Sequence, residues 1–118
     1  MEFEKPLDRC VPAKSLKRAY TPKEARVLAR GLPPGWVLAG DARSLSKDFR
    51  FREFRDAIRL VNVVADLADA EQHYPELHVG ANSLRVVLFT PHVSGVTQND
   101  FVMAQKIAHI GKVGRKLV

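Results

Sequence analysis

Histidines are the residues of this chain that can transfer protons near neutral pH, and three of its four lie close together in sequence. His73 and His78 fall within DAEQHYPELHVG, and His92 follows in FTPHVSG. Asp69 precedes His73 by four residues, which places both side chains on one face of a helix. A carboxylate at that distance can orient an imidazole for general acid or base work. The same spacing also fits an ordinary surface pair worth roughly 0.2–0.5 kcal/mol, so both interpretations stay open.

Metal-dependent and nucleophilic chemistry are not favoured by the sequence. His73 and His78 lack the i, i+4 helical register that aims two imidazoles at one ion, and no cysteine cluster assists them. The chain has one cysteine, Cys10, so it cannot form an internal disulfide. No Gly-x-Ser-x-Gly elbow and no glycine-rich phosphate loop occur. The sequence therefore predicts neither a metal nor a cofactor.

Charge is distributed unevenly along the 118 residues, whose net charge is +6. Residues 1–30 hold eight Lys/Arg and four Asp/Glu (+4), whereas residues 31–118 hold eleven and nine (+2). We therefore expect a flexible basic arm at 1–20, a domain at 21–110 and a basic tail at 111–118. Aromatic residues are not interleaved with these charges, so nucleic acid is not the expected partner. No apolar run reaches the roughly 20 residues of a membrane span.

Periodicity predicts seven elements in the order α-β-β-α-β-β-α. Thr21 and Glu24 form a capping-box pattern at the first helix, and Thr97 and Asp100 repeat it at the last. The segments between are a hairpin (GWVLAG and SLSKDFRF), a long apolar helix (FREFRDAIRLVNVVADLADAEQ) and two strands (ELHVGA and SLRVVLFT). Strand pairs separated by a helix indicate an α+β fold, in which helices pack on one face of a four-stranded antiparallel sheet.

The fourth predicted strand has two distinct faces. Leu84, Val86 and Leu88 alternate as a core face. The opposite face carries Arg85, Val87 and Phe89, with two large apolar groups where a solvated sheet is ordinarily polar. We therefore expect this face to meet a partner protein or a second copy of the chain.

Residues 32–110 resemble the pterin-4a-carbinolamine dehydratase family. The likeness rests on an ordered set of features: Gly35-Trp36 opening a hairpin, Phe49-Arg50-Phe51 leading into the long helix, an acid four residues before His-x-Pro, a strand ending in Thr, and Gly-x-Thr-x-x-Asp starting the last helix. The resemblance implies the same α+β fold, usually as a dimer or a dimer of dimers. It also implies dehydration of a 4a-hydroxytetrahydropterin by histidines, without metal or bound cofactor.

The family motif is acid-x-x-x-His-His-Pro, with a third histidine directly after the strand-ending Thr. Asp69, His73 and Pro75 match it, whereas Tyr74 replaces the second histidine. Pro91 takes the place of the third, and His92 comes one position late unless Pro91 forms a bulge. The resemblance therefore implies a vestigial pterin pocket, to which no catalytic residue is assigned. Its positions are Asp69, His73, Tyr74, Pro75, Pro91 and His92.

Within the family, the chain looks like the dehydratase-like Rubisco assembly factors of α-carboxysome bacteria. The supporting residues are Phe89 to Gly95 (FTPHVSG) and Asn99-Asp100-Phe101, together with the eroded histidine set. This implies a non-enzymatic chaperone with a Rubisco subunit as its partner. Because no transit-like extension precedes Met1, the expected location is the bacterial cytoplasm, in association with the carboxysome. The alternative is an active dehydratase that uses His73 as its acid/base.

Overall fold

The chain forms three helices and a four-stranded sheet in the part that the computed structural model describes, residues 6 and 8–117, with side chains through residue 110. In chain order the elements are α1 (Pro22–Ala29), β1 (Val37–Leu38), β2 (Leu45–Arg50), α2 (Phe54–Glu71), β3 (Glu76–Val79), β4 (Ser83–Leu88) and α3 (Gln98–Leu117). Short 3-10 turns cover Ala13–Ser15 and Pro91–Val93. The predicted element order and the α+β class are confirmed.

The sheet is antiparallel throughout, with strand order β1-β2-β4-β3. Its central pair aligns Leu45 with Leu88 and Phe49 with Leu84, so their side chains point to one face. Those residues and Val86 are all buried, and α2 and α3 pack over them. The core face predicted for the fourth strand is therefore confirmed.

The ends of the predicted elements shift where proline or local geometry intervenes. β4 ends at Leu88, so Phe89 and Thr90, predicted to belong to the strand, lie outside it. Pro91 cannot donate a ladder hydrogen bond, and the chain turns there in a 3-10 helix instead of the bulge considered above. α2 ends at Glu71 because Gln72 adopts a left-handed conformation with φ 57°. His73 therefore lies beyond the helix.

The termini also differ from the expected arm and tail. α3 continues through Leu117, so residues 111–117 are backbone helix and not a separate tail, although their side chains lie outside the described part. Of the expected arm, residues 1–5 and 7 likewise lie outside it. Residues 9–20 pack on the domain: Leu16 and Tyr20 are buried, and Tyr20 meets the edge of the Phe101 ring. Apolar burial explains this, because Leu16 and Tyr20 both remove apolar surface from water when they pack on the domain.

The capping box predicted for α1 is present. The Thr21 hydroxyl accepts from the Glu24 amide, and the Glu24 carboxylate accepts from the Thr21 amide. Arg18 adds two guanidinium hydrogen bonds to the same carboxylate, which lower the pKa of Glu24 to about 2. This contact fixes the chain that leads from residues 9–17 into the domain. In the described part, no helix is both long enough and apolar enough to cross a bilayer.

Candidate functional site

His73 lies at the centre of a buried polar network between the end of α2 and the start of α3. Its Nε2 is 2.6 Å from Oδ1 of Asp100, and the imidazole residue is only 5% exposed. Because a carboxylate oxygen accepts, Nε2 carries the hydrogen in this contact. Nδ1, the second ring nitrogen, makes no hydrogen bond within the described residues. The pair therefore orients one imidazole and leaves one nitrogen to exchange a proton with a ligand.

Asp100 is fully buried and joins three elements through its other oxygen. Oδ2 accepts from the Thr90 hydroxyl and from the Thr97 amide, each at 2.9 Å. The Thr90 hydrogen is thus committed to the carboxylate, so the Thr97 hydroxyl donates to Thr90 at 2.8 Å. The capping box predicted at α3 is half present: Asp100 accepts the Thr97 amide as expected, while the Thr97 hydroxyl turns to β4's end.

Asp69 is not the carboxylate partner of His73, which corrects the expectation drawn from their spacing. Asp69 is exposed on α2, and among the described residues its carboxylate forms no hydrogen bond with the imidazole. The left-handed Gln72 takes the chain out of helical register, so His73 no longer follows Asp69 by one turn. The His73 amide still donates to the Ala68 carbonyl, and the His73 ring points inward to α3.

The remaining positions of the predicted pocket do not join this network. Tyr74 is 58% exposed. His92 is exposed in the 3-10 turn that starts at Pro91, and its Nε2 donates to the Leu16 carbonyl at 2.9 Å. Pro75 is half-buried just before β3. The structure therefore presents one oriented imidazole, and not three converging ones.

Glu71 anchors the N-terminal chain beside His73. Its Oε1 accepts the Cys10 amide at 2.8 Å, and its Oε2 lies 3.3 Å from Nζ of Lys106 and 3.8 Å from Nε of Arg9. The Cys10 amide, followed by these cations, lowers the pKa of Glu71 below its ordinary value of 4.5, although burial opposes the shift. The ionised carboxylate is thus the form that holds the segment.

Acid should weaken this anchor. A carboxyl group whose pKa is lowered by folding stabilises the native state above its unfolded pKa, and that stabilisation is lost as the pH falls through the folded value. We expect the urea midpoint of the wild type to drop below pH 4.5. Glu71→Gln, which cannot ionise, should lack this part of the drop while keeping the part due to Glu24. Parallel pH profiles for the two proteins would contradict the assignment.

The Cys10 thiol is not activated as a nucleophile. Burial, and then the Glu71 carboxylate, raise the pKa of the Cys10 thiol to about 12, so it is protonated and a poor nucleophile at neutral pH. Within the part of the chain that the structure describes, no cluster of three His, Cys, Asp or Glu side chains could hold a metal ion.

The outer face of the sheet is more polar than the sequence pattern of β4 suggested. Val87 lies between Ser46 of β2 and Glu76 of β3 in the strand register. Arg85 likewise lies between Asp48 and His78, and its guanidinium is 3.4 Å from the Asp48 carboxylate. Phe89 follows the end of the strand and is half-buried. The face therefore offers alternating charges around Val87, with a second valine, the exposed Val37 of β1, across Ser46 on the same face.

Comparison with known proteins identifies the family of the chain. The family model for pterin 4 alpha carbinolamine dehydratase matches residues 18–110. A Rubrobacter xylanophilus protein, provisionally named a pterin-4-alpha-carbinolamine dehydratase, is 39% identical over 98 residues. The aligned region covers 83% of this chain and 90% of that protein. The mitochondrial pterin-4-alpha-carbinolamine dehydratase 2 of Arabidopsis thaliana is 38% identical over 84% of this chain and 54% of its own length. The chain belongs to the pterin-4a-carbinolamine dehydratase family.

Two solved structures share this architecture. A transcriptional coactivator/pterin dehydratase from Brucella melitensis aligns with a TM-score of 0.71 and 29% identity, over 79% of this chain and 98% of the other. A pterin dehydratase-like protein identified as a RuBisCO assembly factor in the α-carboxysome aligns with a TM-score of 0.55 and 16% identity, over 64% and 88%. At that identity the second likeness concerns the fold alone.

Sequence reasoning missed Asp100 as the partner of His73 and missed the anchoring roles of Glu71 and Asn99. The signal for Asp100 was present, since it had been recognised as the acid of a helix cap. Because its carboxylate caps the start of α3, Asp100 is held in place and can also bond to a histidine from a neighbouring element. No local pattern pointed to Glu71 or Asn99, because both bond to main-chain amides that lie about 60 to 90 residues earlier in the sequence.

Proposed function

We propose that this chain is a pterin dehydratase-like protein that does not run the dehydration and instead assists the assembly of Rubisco. The observation that carries the first half is the single oriented imidazole. His73 is held by Asp100, while a phenol and a proline occupy the two positions where the family has histidines. A phenol exchanges protons poorly at neutral pH, and a proline side chain does not exchange them at all.

Loss of two proton-transfer groups should remove most of the rate. Dehydration needs one group to protonate the departing hydroxyl and another to take the proton from the ring nitrogen. General acid and base groups contribute roughly 10²–10⁴-fold each. His92 cannot substitute while its Nε2 donates to Leu16, since its ring is fixed at the surface by that bond. What remains is a stable fold with a binding role.

The Rubisco role is supported by the fold-level likeness to the α-carboxysome assembly factor and by the outer sheet face. That face exposes Asp48, Arg85, Glu76 and His78 around Val87, and no other element covers it in the described part of the chain. Such alternating charges suit a polar partner surface with complementary charges. A homodimer, or a tetramer, belongs to the same proposal, supported by exposed Phe54 and Val63 on α2.

Co-expression with Rubisco tests the proposal. We expect a higher yield of assembled, active Rubisco with the wild-type protein than without it. Val87→Glu should abolish the gain by adding repulsion at the centre of the face. Val27→Glu is the matched control, since Val27 is exposed on α1 and is not a residue of the sheet, and its variant should assist like the wild type. Equal Rubisco yields with and without the protein would refute the chaperone role.

The second candidate function is the dehydratase itself. It is favoured by the His73–Asp100 pair and by the family name carried by the relatives. In this case His73 Nδ1 would be the acid/base, oriented by Asp100. Decay of the 4a-carbinolamine separates the candidates: an accelerated rate that His73→Ala removes would establish the enzyme. A rate equal to the spontaneous one, unchanged in His73→Ala, would support the non-enzymatic assignment.

A further inference from the structure

Residues 9–16, which we call the strap, are held by three side chains of the domain, each of which forms a hydrogen bond with the strap's main chain. Glu71 accepts the Cys10 amide at 2.8 Å. The Asn99 side-chain amide bonds to both main-chain groups of Val11, accepting from N–H and donating to C=O, each at 2.9 Å. His92 donates to the Leu16 carbonyl at 2.9 Å. These bonds depend on the path of the strap's main chain, and the Arg9 guanidinium adds a longer ion pair, 3.8 Å from the Glu71 carboxylate.

Two anchors of the strap adjoin the His73–Asp100 pair in the sequence. Glu71 is two residues before His73, and Asn99 immediately precedes Asp100. Cys10 also reaches α3 directly, with Sγ 3.6 Å from the Asn99 carbonyl. The Asp100 carboxylate lies close enough to contribute to the raised pKa of Cys10. The strap thus crosses from the end of α2 to the start of α3, over the elements that hold both members of the pair.

We propose that the strap is a displaceable cover of the His73–Asp100 pair, and that its opening controls access of solvent and ligands to the His73 ring. This goes beyond the proposed function, because the cover operates whether or not the site is catalytic. Few apolar contacts hold the strap: Leu16 is its one buried residue, Cys10 is partly buried against the core cluster, and Pro12 to Ser15 are exposed. A segment anchored in this way opens without unfolding the core.

The test changes the strap alone. The double variant Cys10→Pro/Val11→Pro removes the two amides that donate to Glu71 and Asn99, since proline has no N–H. The matched control, Cys10→Ala/Val11→Ala, shortens the same side chains but keeps both donors. Both variants lose the Cys10 side chain, which packs against the core cluster, so the alanine control accounts for that loss. Modification of each histidine by diethylpyrocarbonate is followed in the full-length protein by mass spectrometry, with exposed His78 as the internal reference.

In the wild type and the alanine control, we expect the modification rate of His73 to be at least about tenfold lower than that of His78. In the proline variant, the His73 rate should rise at least about fivefold while the His78 rate stays unchanged. Equal protection of His73 in a folded proline variant would overturn the proposal. This readout does not depend on dehydratase activity or on Rubisco, so its failure is distinct from failure of the proposed function.

A second measurement applies if the proline variant does not fold. In the wild type under low urea, the Val11 amide should exchange with deuterium before the amides of α2 and α3, because the strap opens locally. His73 modification should accelerate in step with Val11 exchange. Reactivity of His73 that appears only with global unfolding would show that the core, and not the strap, protects the ring.

Discussion

Asp100→Ala should lower the free energy of unfolding by about 3–5 kcal/mol, among the largest single effects in this protein. The substitution leaves three groups without their acceptor: the His73 ring Nε2, the Thr90 hydroxyl and the Thr97 amide. All three are inside the core, where an unpaired polar group bears its full desolvation cost. The free energy of unfolding should fall less in Asp100→Asn, because an amide oxygen still accepts a hydrogen bond from Thr90 or Thr97. Urea denaturation at neutral pH measures both changes.

Asp69→Ala is the control for this prediction. It removes the carboxylate that sequence spacing had assigned to His73, yet Asp69 is exposed on α2. We expect a change within about 0.5 kcal/mol. If Asp69→Ala destabilised the protein as much as Asp100→Ala, the i, i+4 pair of Asp69 with His73 would be supported and the network seen in the structure would be refuted.

Leu88→Ala should cost about 2–5 kcal/mol, since it removes a fully buried side chain and leaves a cavity between the sheet and its helices. Leu88 pairs with Leu45 across the central strands, and both belong to the main core cluster. Val87→Ala is the matched control on the next residue. Its side chain points to the outer face, so its loss should cost less than about 1 kcal/mol.

The comparison of these two variants also tests the strand register. A one-residue slip would exchange the faces of β4, and Val87→Ala would then be the more destabilising change. Urea midpoints for the two variants decide the matter. The result bears on function as well, because it fixes Val87 on the face that we assign to the Rubisco partner.

Much of the fold could be predicted from sequence because its signals are local. The apolar period of α2, the alternation of β4 and the Thr21–Glu24 capping box each involve residues within a few positions of one another. Short connections then limit how such elements pair. The α+β class therefore followed from the order of elements before any contact was known.

The candidate site was less predictable because it depends on contacts between distant residues. Asp100 was recognised as a helix-capping acid, but its reach to His73 spans 27 residues of sequence. The spacing of Asp69 suggested a helical pair, and a single left-handed residue, Gln72, removed the register on which that pair relied. The polar neighbours of Val87 come from β2 and β3, so the strand pattern alone could not show them.

Two hydrogen bonds between Val11 and Asn99 join residues that are 88 positions apart in the sequence. Closing a loop of this length has an entropic cost that is recovered only once the intervening elements are in place. We therefore expect the strap to dock late, after the transition state for folding. Substitutions in it should then raise the unfolding rate and leave the folding rate nearly unchanged.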